Sequence, residues 1–244
     1  METLDHLHMY EHGTPGLLIT FCGLDGCGKT TMIRRLTAFL QHAGIEPLLT
    51  KQPTNAVRQS EIFRTYMDSP EHAQYEYRSL SLLAASDRVQ HANKLILPAL
   101  RQKKIVISDR YFYSCVANLR ARGYEKDRWI NEISAYIPKP DIAFFLDTPV
   151  SAAVARVRRR PEEKNRYIDI PLQYKLHSEY RALCAEAKGV LLSTMEPEDD
   201  TFDMILRALQ NCLRLRGNMW NDFKTNTEDE TYSGKEKINS VNRK

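Results

Sequence analysis

The chain has 244 residues, of which 42% are apolar, and a net charge of only +4. That length and composition suit a single α/β domain with a large core and exclude a small disulfide-stapled fold. The charge is too mild to argue for nucleic-acid binding, and no stretch approaches the ~18 apolar residues of a membrane span.

Residues 1–15 hold charged side chains and three histidines but no apolar run, so they read as a flexible N-terminal extension rather than a signal peptide. Five short, nearly continuous apolar runs then follow as strands, at 17–22, 46–50, 104–108, 141–146 and 189–194. Runs of this kind belong to parallel strands covered on both faces. Helical patterns lie near 29–43, 55–69, 74–97, 111–136, 150–160, 170–187 and 199–215. The alternation predicts one domain over 16–215, a doubly wound five-stranded parallel sheet with helices on both faces and ligand loops at the strand C-terminal ends. From 216 to 244 the chain turns polar with balanced charge. It reads as a disordered tail, from which Trp220 and Phe223 could dock on the body. Five scattered cysteines (Cys22, Cys27, Cys115, Cys184, Cys212), odd in number and without a C-x-x-C pair, suit a reduced cytosol better than disulfides or zinc.

The strongest motif follows the first strand. Gly23-Leu24-Asp25-Gly26-Cys27-Gly28-Lys29-Thr30 fits G-x-x-x-x-G-K-T, a phosphate-binding loop. Its glycines let backbone N–H groups turn inward as an anion nest. Lys29 is placed for the β- and γ-phosphates, and the Thr30 hydroxyl for Mg²⁺. The helix that follows aims its positive end at the same phosphates. Gly23, Leu24, Asp25, Gly26, Cys27, Gly28, Lys29, Thr30 and Thr31 are therefore the expected ATP phosphate site.

Other charged residues gather at places the fold would bring close. Strand 104–108 runs into Asp109-Arg110-Tyr111. Asp109 is placed to organise the Mg²⁺ shell, through water, and Arg110 to hold an anionic acceptor; the plain alternative is a structural salt bridge. In the 74–97 helix, Ser81, Ala84 and Ala85 share a face with Arg88 and leave open space beside it. That stripe reads as a second phosphate clamp or as close helix packing around a snorkelling arginine. Arg156, Arg158, Arg159, Arg160, Lys164 and Arg166 crowd one helix end and the loop after it. They favour the helix C-terminus electrostatically, or form a mobile lid around 158–170 that supplies arginine to the transferring phosphoryl group. No interleaved aromatic platform supports a nucleic-acid role for this cluster.

Taken in order, these blocks resemble the thymidylate kinase family of phosphate-loop nucleoside-monophosphate kinases. The resemblance spans roughly residues 16–215. It rests on the phosphate loop, Thr50-Lys51-Gln52-Pro53-Thr54, Leu82-Leu83-Ala84-Ala85-Ser86-Asp87-Arg88, Ile107-Ser108-Asp109-Arg110-Tyr111, Lys139-Pro140-Asp141 and Asn165-Arg166-Tyr167. It implies transfer of the γ-phosphoryl of ATP, with Mg²⁺, to dTMP, giving dTDP. By the same resemblance, Lys29, Arg110, Arg160 and Arg166 are catalytic, with Thr30 and Asp109 at the metal. Asp25, Pro53, Arg64, Arg88 and Arg110 would hold the acceptor, Asp25 through the sugar 3′-hydroxyl. A cytoplasmic homodimer without nucleic-acid or membrane partners is implied as well.

The base-handling positions depart from the family. A stacking Phe is replaced by Ala84, an aromatic-polar pair by Asn118-Leu119, the Glu of the second-strand turn by Gln52, and a Glu before the phosphate loop by Cys22. Another nucleotide or a small phosphorylated metabolite is the alternative acceptor. A module that only binds nucleotide would not need Lys29, Thr30, Asp109 and Arg110 together.

Overall fold

Strand β1 (Leu17–Cys22) is buried along all six residues and lies at the centre of the sheet. With β2 (Leu48–Lys51), β3 (Ile105–Asp109), β4 (Ile142–Asp147) and β5 (Val190–Ser193) it forms an all-parallel sheet of order β2-β3-β1-β4-β5. The computed structural model describes residues 6–68 and 75–216, so the tail expectation, with Trp220 and Phe223, lies outside the described residues. Phe21 stands level with Asp109 on one side and Phe144 on the other, and Lys51 stands level with Asp109. This register brings the C-terminal ends of β1, β2 and β3 to one edge, where an open α/β sheet places its ligand. The apolar runs explain the burial: every side chain of β1 is covered, and Phe21 packs on Phe144 with ring centroids 4.9 Å apart.

Helices cover the sheet in two groups. Helix α1 (Lys29–His42) packs with the last helix (Glu198–Leu215, α10). Helix α6 (Phe112–Ala121) packs with α4 (Tyr77–His91) and with α9 (Ile170–Glu186).

Three predicted helices are interrupted. The 55–69 pattern becomes α2 (Asn55–Arg58) and α3 (Glu61–Asp68). Between them Ser60 Oγ donates to the Val57 carbonyl and accepts from Phe63 N–H, giving the backbone a local alternative to continued helix. The 74–97 pattern runs from α4 through a π-helical turn, Ala92–Ile96, into α5 (Leu97–Arg101). Pro98 lacks an N–H and crowds the preceding turn, and the wider π turn accommodates it. The 111–136 pattern splits into α6 and α7 (Trp129–Ser134) because α6 stops at Gly123. Gly123 has φ 88°, its N–H bonds the Arg120 carbonyl at 2.9 Å, and Tyr124 N–H bonds the Leu119 carbonyl at 3.3 Å. That pair of bonds is the Schellman helix stop.

Residues 6–15 correct the expectation of a flexible extension. Tyr10 bridges to Pro138, His8 N–H bonds Ser134 Oγ at 2.7 Å, and the His12 ring meets Asp141 at 3.0 Å with its side chain only 1% exposed. Asp141 also accepts from Leu18 N–H and Arg216, tying the N-terminal segment, the sheet and the end of α10 to one carboxylate. A buried carboxylate with this many donors anchors a segment that has no apolar run of its own.

Candidate active site

The phosphate loop connects β1 to α1. Gly26 has φ 80°, and a Cβ there would lie 2.2 Å from the Ala153 carbonyl oxygen. Only glycine permits that conformation and that approach to α8 (Val150–Arg158). Gly28 caps α1 in the left-handed region with no side-chain bond, which leaves the first N–H groups of a 14-residue helix directed at the cleft. Lys29 is buried, and its Nζ donates to the carbonyls of Leu24 at 2.7 Å and Gly23 at 3.1 Å. Leu24 and Cys27 bury their side chains in the core.

Beside the loop, β3 delivers Asp109 and Arg110. Asp109 Oδ2 lies 3.2 Å from Lys51 Nζ, while its Oδ1 is buried without a partner among the described residues. Arg110 has φ 68°, a left-handed conformation costing about 1 kcal/mol or more in a non-glycine residue. Its N–H bonds Phe21 O at 2.8 Å, locking the end of β3 to β1, and the turn throws its side chain over the phosphate loop. The guanidinium donates to Gly23 O at 3.1 Å, to the Tyr180 hydroxyl at 3.2 Å, and to Asp25. Burial pushes the Asp25 carboxyl up, but Arg110, Lys29 and Arg166 outweigh it and hold the group well below the usual carboxylate range. Burial raises Tyr180 to about 12 and Cys22 to about 11, so both are neutral neighbours at pH 7.

Across the cleft, the segment between α8 and α9 carries the arginine cluster. Arg158 Nη1 donates to the carbonyls of Lys164 at 2.7 Å and Arg166 at 2.5 Å, which folds the segment around a 3-10 turn, Pro161–Glu163. Arg166 lies 3.3 Å from Asp25, and Arg160 pairs with Glu163 at 3.1 Å. Arg156 bonds Thr194 through Oγ1 and the carbonyl, pinning α8 to the residue after β5.

The far end of the cleft is built by α3, α4 and α6. Arg88 is buried, with Nη1 on Ala84 O at 2.8 Å and Nε on Tyr111 O at 3.4 Å. Ala84 lines the cleft as expected, whereas Ala85 is fully buried in the core. Pro53 follows a cis peptide, and Gln52 before it is buried against His91 Nδ1 at 3.0 Å. His91 Nε2 meets Thr50 Oγ1 at 2.7 Å. Burial lowers the His91 pKa, Asp87 opposes that and Arg88 adds to it. Asn118 lines the cleft, but Leu119, expected to share in base handling, is fully buried in the core. Adjacent helical residues point about 100° apart at 3.6 residues per turn, so only one of the two can face the cavity. Tyr66, Tyr77, Arg122 and Tyr124 are among the lining residues to which the sequence pattern does not point. For Arg122 and Tyr124 the signal is the helix stop at Gly123, which helical periodicity masks.

All of this surrounds one cleft of about 1460 Å³. A single small-ligand pocket occupies roughly 300–1,000 Å³, so this one has room for two substrates. Of the expected site residues, Leu24, Asp25, Gly26, Gly28, Lys29, Thr30, Thr31, Pro53, Arg64, Arg88, Asp109, Arg110, Arg160 and Arg166 line it. Gly23 and Cys27 do not; they support the loop from behind. Among the described residues no three His, Cys, Asp or Glu side chains gather as a metal cage. Magnesium held mainly by phosphates and water needs no such cage. The Thr30 hydroxyl at the cleft and the unpartnered Asp109 Oδ1 are oxygen donors that suit it.

A parallel sheet with a glycine-lined anion nest, a loop lysine and facing arginines defines a phosphate-loop phosphotransferase. The family pattern described as thymidylate kinase matches residues 21–205. A probable thymidylate kinase of Pyrococcus horikoshii is 36% identical over 170 residues, 69% of this chain and 82% of that protein. One from Thermococcus kodakarensis is 33% identical over 203 residues, 81% and 98% of the two chains. A thymidylate kinase of Xanthomonas oryzae is 40% identical over 152 residues, 62% and 65%. The chain belongs to the thymidylate kinase family, and is an ATP-dependent nucleoside-monophosphate kinase.

Proposed function

We propose that this enzyme transfers the γ-phosphoryl group of ATP to dTMP, forming dTDP. The observation that carries the reading is the arrangement of cations along one cleft, with Lys29 at the phosphate loop, Arg166 across it, and Arg110 and Arg88 leading away toward the far end. Transfer between two phosphates needs alignment and positive charge more than a strong base. Lys29 moves from the loop carbonyls to the β- and γ-phosphates when ATP is bound. Arg110 and Arg166 stabilise the charge that develops between donor and acceptor, and Arg160 joins from the lid segment 158–170. Arg88, Arg110 and Arg64 hold the acceptor phosphate; Asp25 accepts from the sugar 3′-hydroxyl, and Pro53 packs beside it. Thr30 and Asp109, the latter through water, would hold Mg²⁺, which when bound neutralises the phosphate oxygens.

The family supports a cytoplasmic homodimer, and Leu82, Leu83 and Leu95, exposed at 49%, 39% and 38%, supply apolar surface for a second copy. Ala84 and Asn118 favour a second reading, a different nucleotide or phosphorylated metabolite as acceptor. Assaying ATP with a panel of nucleoside monophosphates tests the choice. Turnover of dTMP well above the others is expected, and preference for another acceptor overturns it.

A further inference from the structure

Arg88 and Arg110 depend on one turn at the end of β3. Arg110 occupies it, and the next residue, Tyr111, accepts from Arg88 Nε at 3.4 Å through its carbonyl. The same carbonyl accepts from Ser114 N–H at 3.0 Å, which starts α6. The turn is costly, because Arg110 is left-handed at φ 68°. Its strand side is held by the Arg110 N–H on Phe21 O at 2.8 Å and by Ser108 Oγ, which donates to the Arg110 carbonyl at 2.6 Å. Its helix side is held by the Tyr111 side chain. That side chain is fully buried, and its hydroxyl donates to Pro138 O at 2.7 Å. Burial pushes the Tyr111 hydroxyl well above the ordinary 10, so it keeps its proton at pH 7.

Pro138 is in turn seated by the N-terminal arm, residues 6–15. Tyr10 N–H bonds Ile137 O at 3.1 Å, and Lys139 N–H bonds Tyr10 O at 2.8 Å. In a parallel bridge of this kind the residue between the two bonds turns its own N and O the other way. Pro138 O therefore faces Tyr111, and proline leaves no N–H unpaired beside it. The arm is fastened at separate points, by Leu7 N–H on Glu186 of α9 at 3.2 Å, His8 N–H on Ser134 of α7, and His12 on Asp141. The family pattern begins at residue 21, so the whole arm lies outside it.

We propose that Tyr111 is a positioning residue for Arg88 and Arg110, and that the N-terminal arm braces it by fixing Pro138. Tyr111 does not line the cleft, so it acts through the two arginines. Without its anchor the left-handed turn relaxes, the Tyr111 carbonyl withdraws from Arg88, and the Arg110 side chain swings away from the phosphate loop. The inference rests on the reading that these arginines hold the acceptor phosphate.

The test is steady-state kinetics with ATP and dTMP on wild type, Tyr111→Phe, Arg88→Ala and the double variant. An ångström of misplacement costs about 10²-fold, and Phe keeps the ring in place, so Tyr111→Phe is expected to raise KM for dTMP by about tenfold. KM for ATP is expected to hold, because the ATP phosphates rest on residues 23–31. In the Arg88→Ala background Tyr111→Phe is expected to add a smaller factor, since residues acting through a shared contact are not additive. Tyr10→Pro, which deletes the N–H on Ile137 O, is expected to raise KM for dTMP more than Tyr10→Ala, which keeps it. This pair carries the decision if Tyr111→Phe does not fold. A lower unfolding temperature with wild-type KM for dTMP in Tyr111→Phe removes Tyr111 as a positioning residue. Equal factors in the two backgrounds remove the route through Arg88, and equal KM in Tyr10→Pro and Tyr10→Ala removes the arm. Each of these leaves the kinase reading standing, whereas wild type that turns over no nucleoside monophosphate removes both.

Discussion

Asp25 of the phosphate loop and Arg166 of the segment between α8 and α9 lie 3.3 Å apart, joining two walls of the cleft. The same carboxylate also holds Arg110, so one acid orients two arginines that reach it from opposite sides. Asp25→Ala releases both and leaves Arg110 largely desolvated beside the Gly23 carbonyl. We expect kcat to fall by about 10²-fold through loss of alignment. Steady-state kinetics check this, and retention of full kcat would remove Asp25 from the positioning machinery.

Arg160 and Arg166 differ in what they touch, and their variants are expected to differ too. Arg166 contacts Asp25, whereas Arg160 is 44% exposed and bonded to Glu163. Arg166→Ala is expected to cost several times more in kcat than Arg160→Ala. Parallel kinetics on the two variants decide the order.

Lys29 is a buried ammonium whose hydrogen bonds end on two carbonyls and the Cys27 sulfur of its own loop. Lys29→Ala is expected to lose about 10²–10³-fold in kcat, the scale of removing one transition-state donor. The rise in unfolding temperature on adding ATP should shrink with it, because ligand binding stabilises by mass action. A Lys29→Ala protein as active as wild type would contradict the phosphotransfer reading.

Gly26 meets Ala153 across the apex of the loop. Gly26→Ala adds a methyl at 2.2 Å from a carbonyl oxygen, in a left-handed backbone. We expect destabilisation of about 1–3 kcal/mol from overpacking and weaker ATP binding as the loop shifts. Denaturant unfolding and nucleotide titration measure the two effects separately.

His91 makes stability depend on pH. Its folded pKa lies below the ordinary 6.5, because burial disfavours the cation. Below pH 6.5 the unfolded chain therefore takes up a proton that the folded ring resists, and stability falls as the solution is acidified. Above that pH the contribution is flat. Gln52→Glu sets a carboxylate against Nδ1, where the amide now stands at 3.0 Å, and raises the His91 pKa. Unfolding temperatures at pH 7.5 and 5.5 should drop for wild type and drop less for the variant.

The sequence reading succeeded where one physical signal dominated. The apolar runs place all five strands within two residues at each end, and most of the glycines and the lysine after β1 fall on the loop that lines the cleft. It failed where competing signals overlapped. Helical periodicity continues through 122–124, so the stop at Gly123 was hidden, and with it the cleft-facing Arg122 and Tyr124. The family resemblance implies a base-handling place for Leu119 with Asn118, although the helical turn sends Leu119 into the core. Residues 6–15 lack an apolar run, and what fastens His12 is Asp141, more than a hundred residues away, a pairing that local pattern cannot reveal.

The stop at Gly123 reaches beyond the loop it begins. It is set by backbone conformation, and a Cβ on Gly123 would meet nothing within 4 Å. The direction in which Arg122 and Tyr124 meet the cleft is thus set by a residue that does not line it. Lengthening or shortening α6 by a single position would swing Arg122 by about 100° around the helix axis.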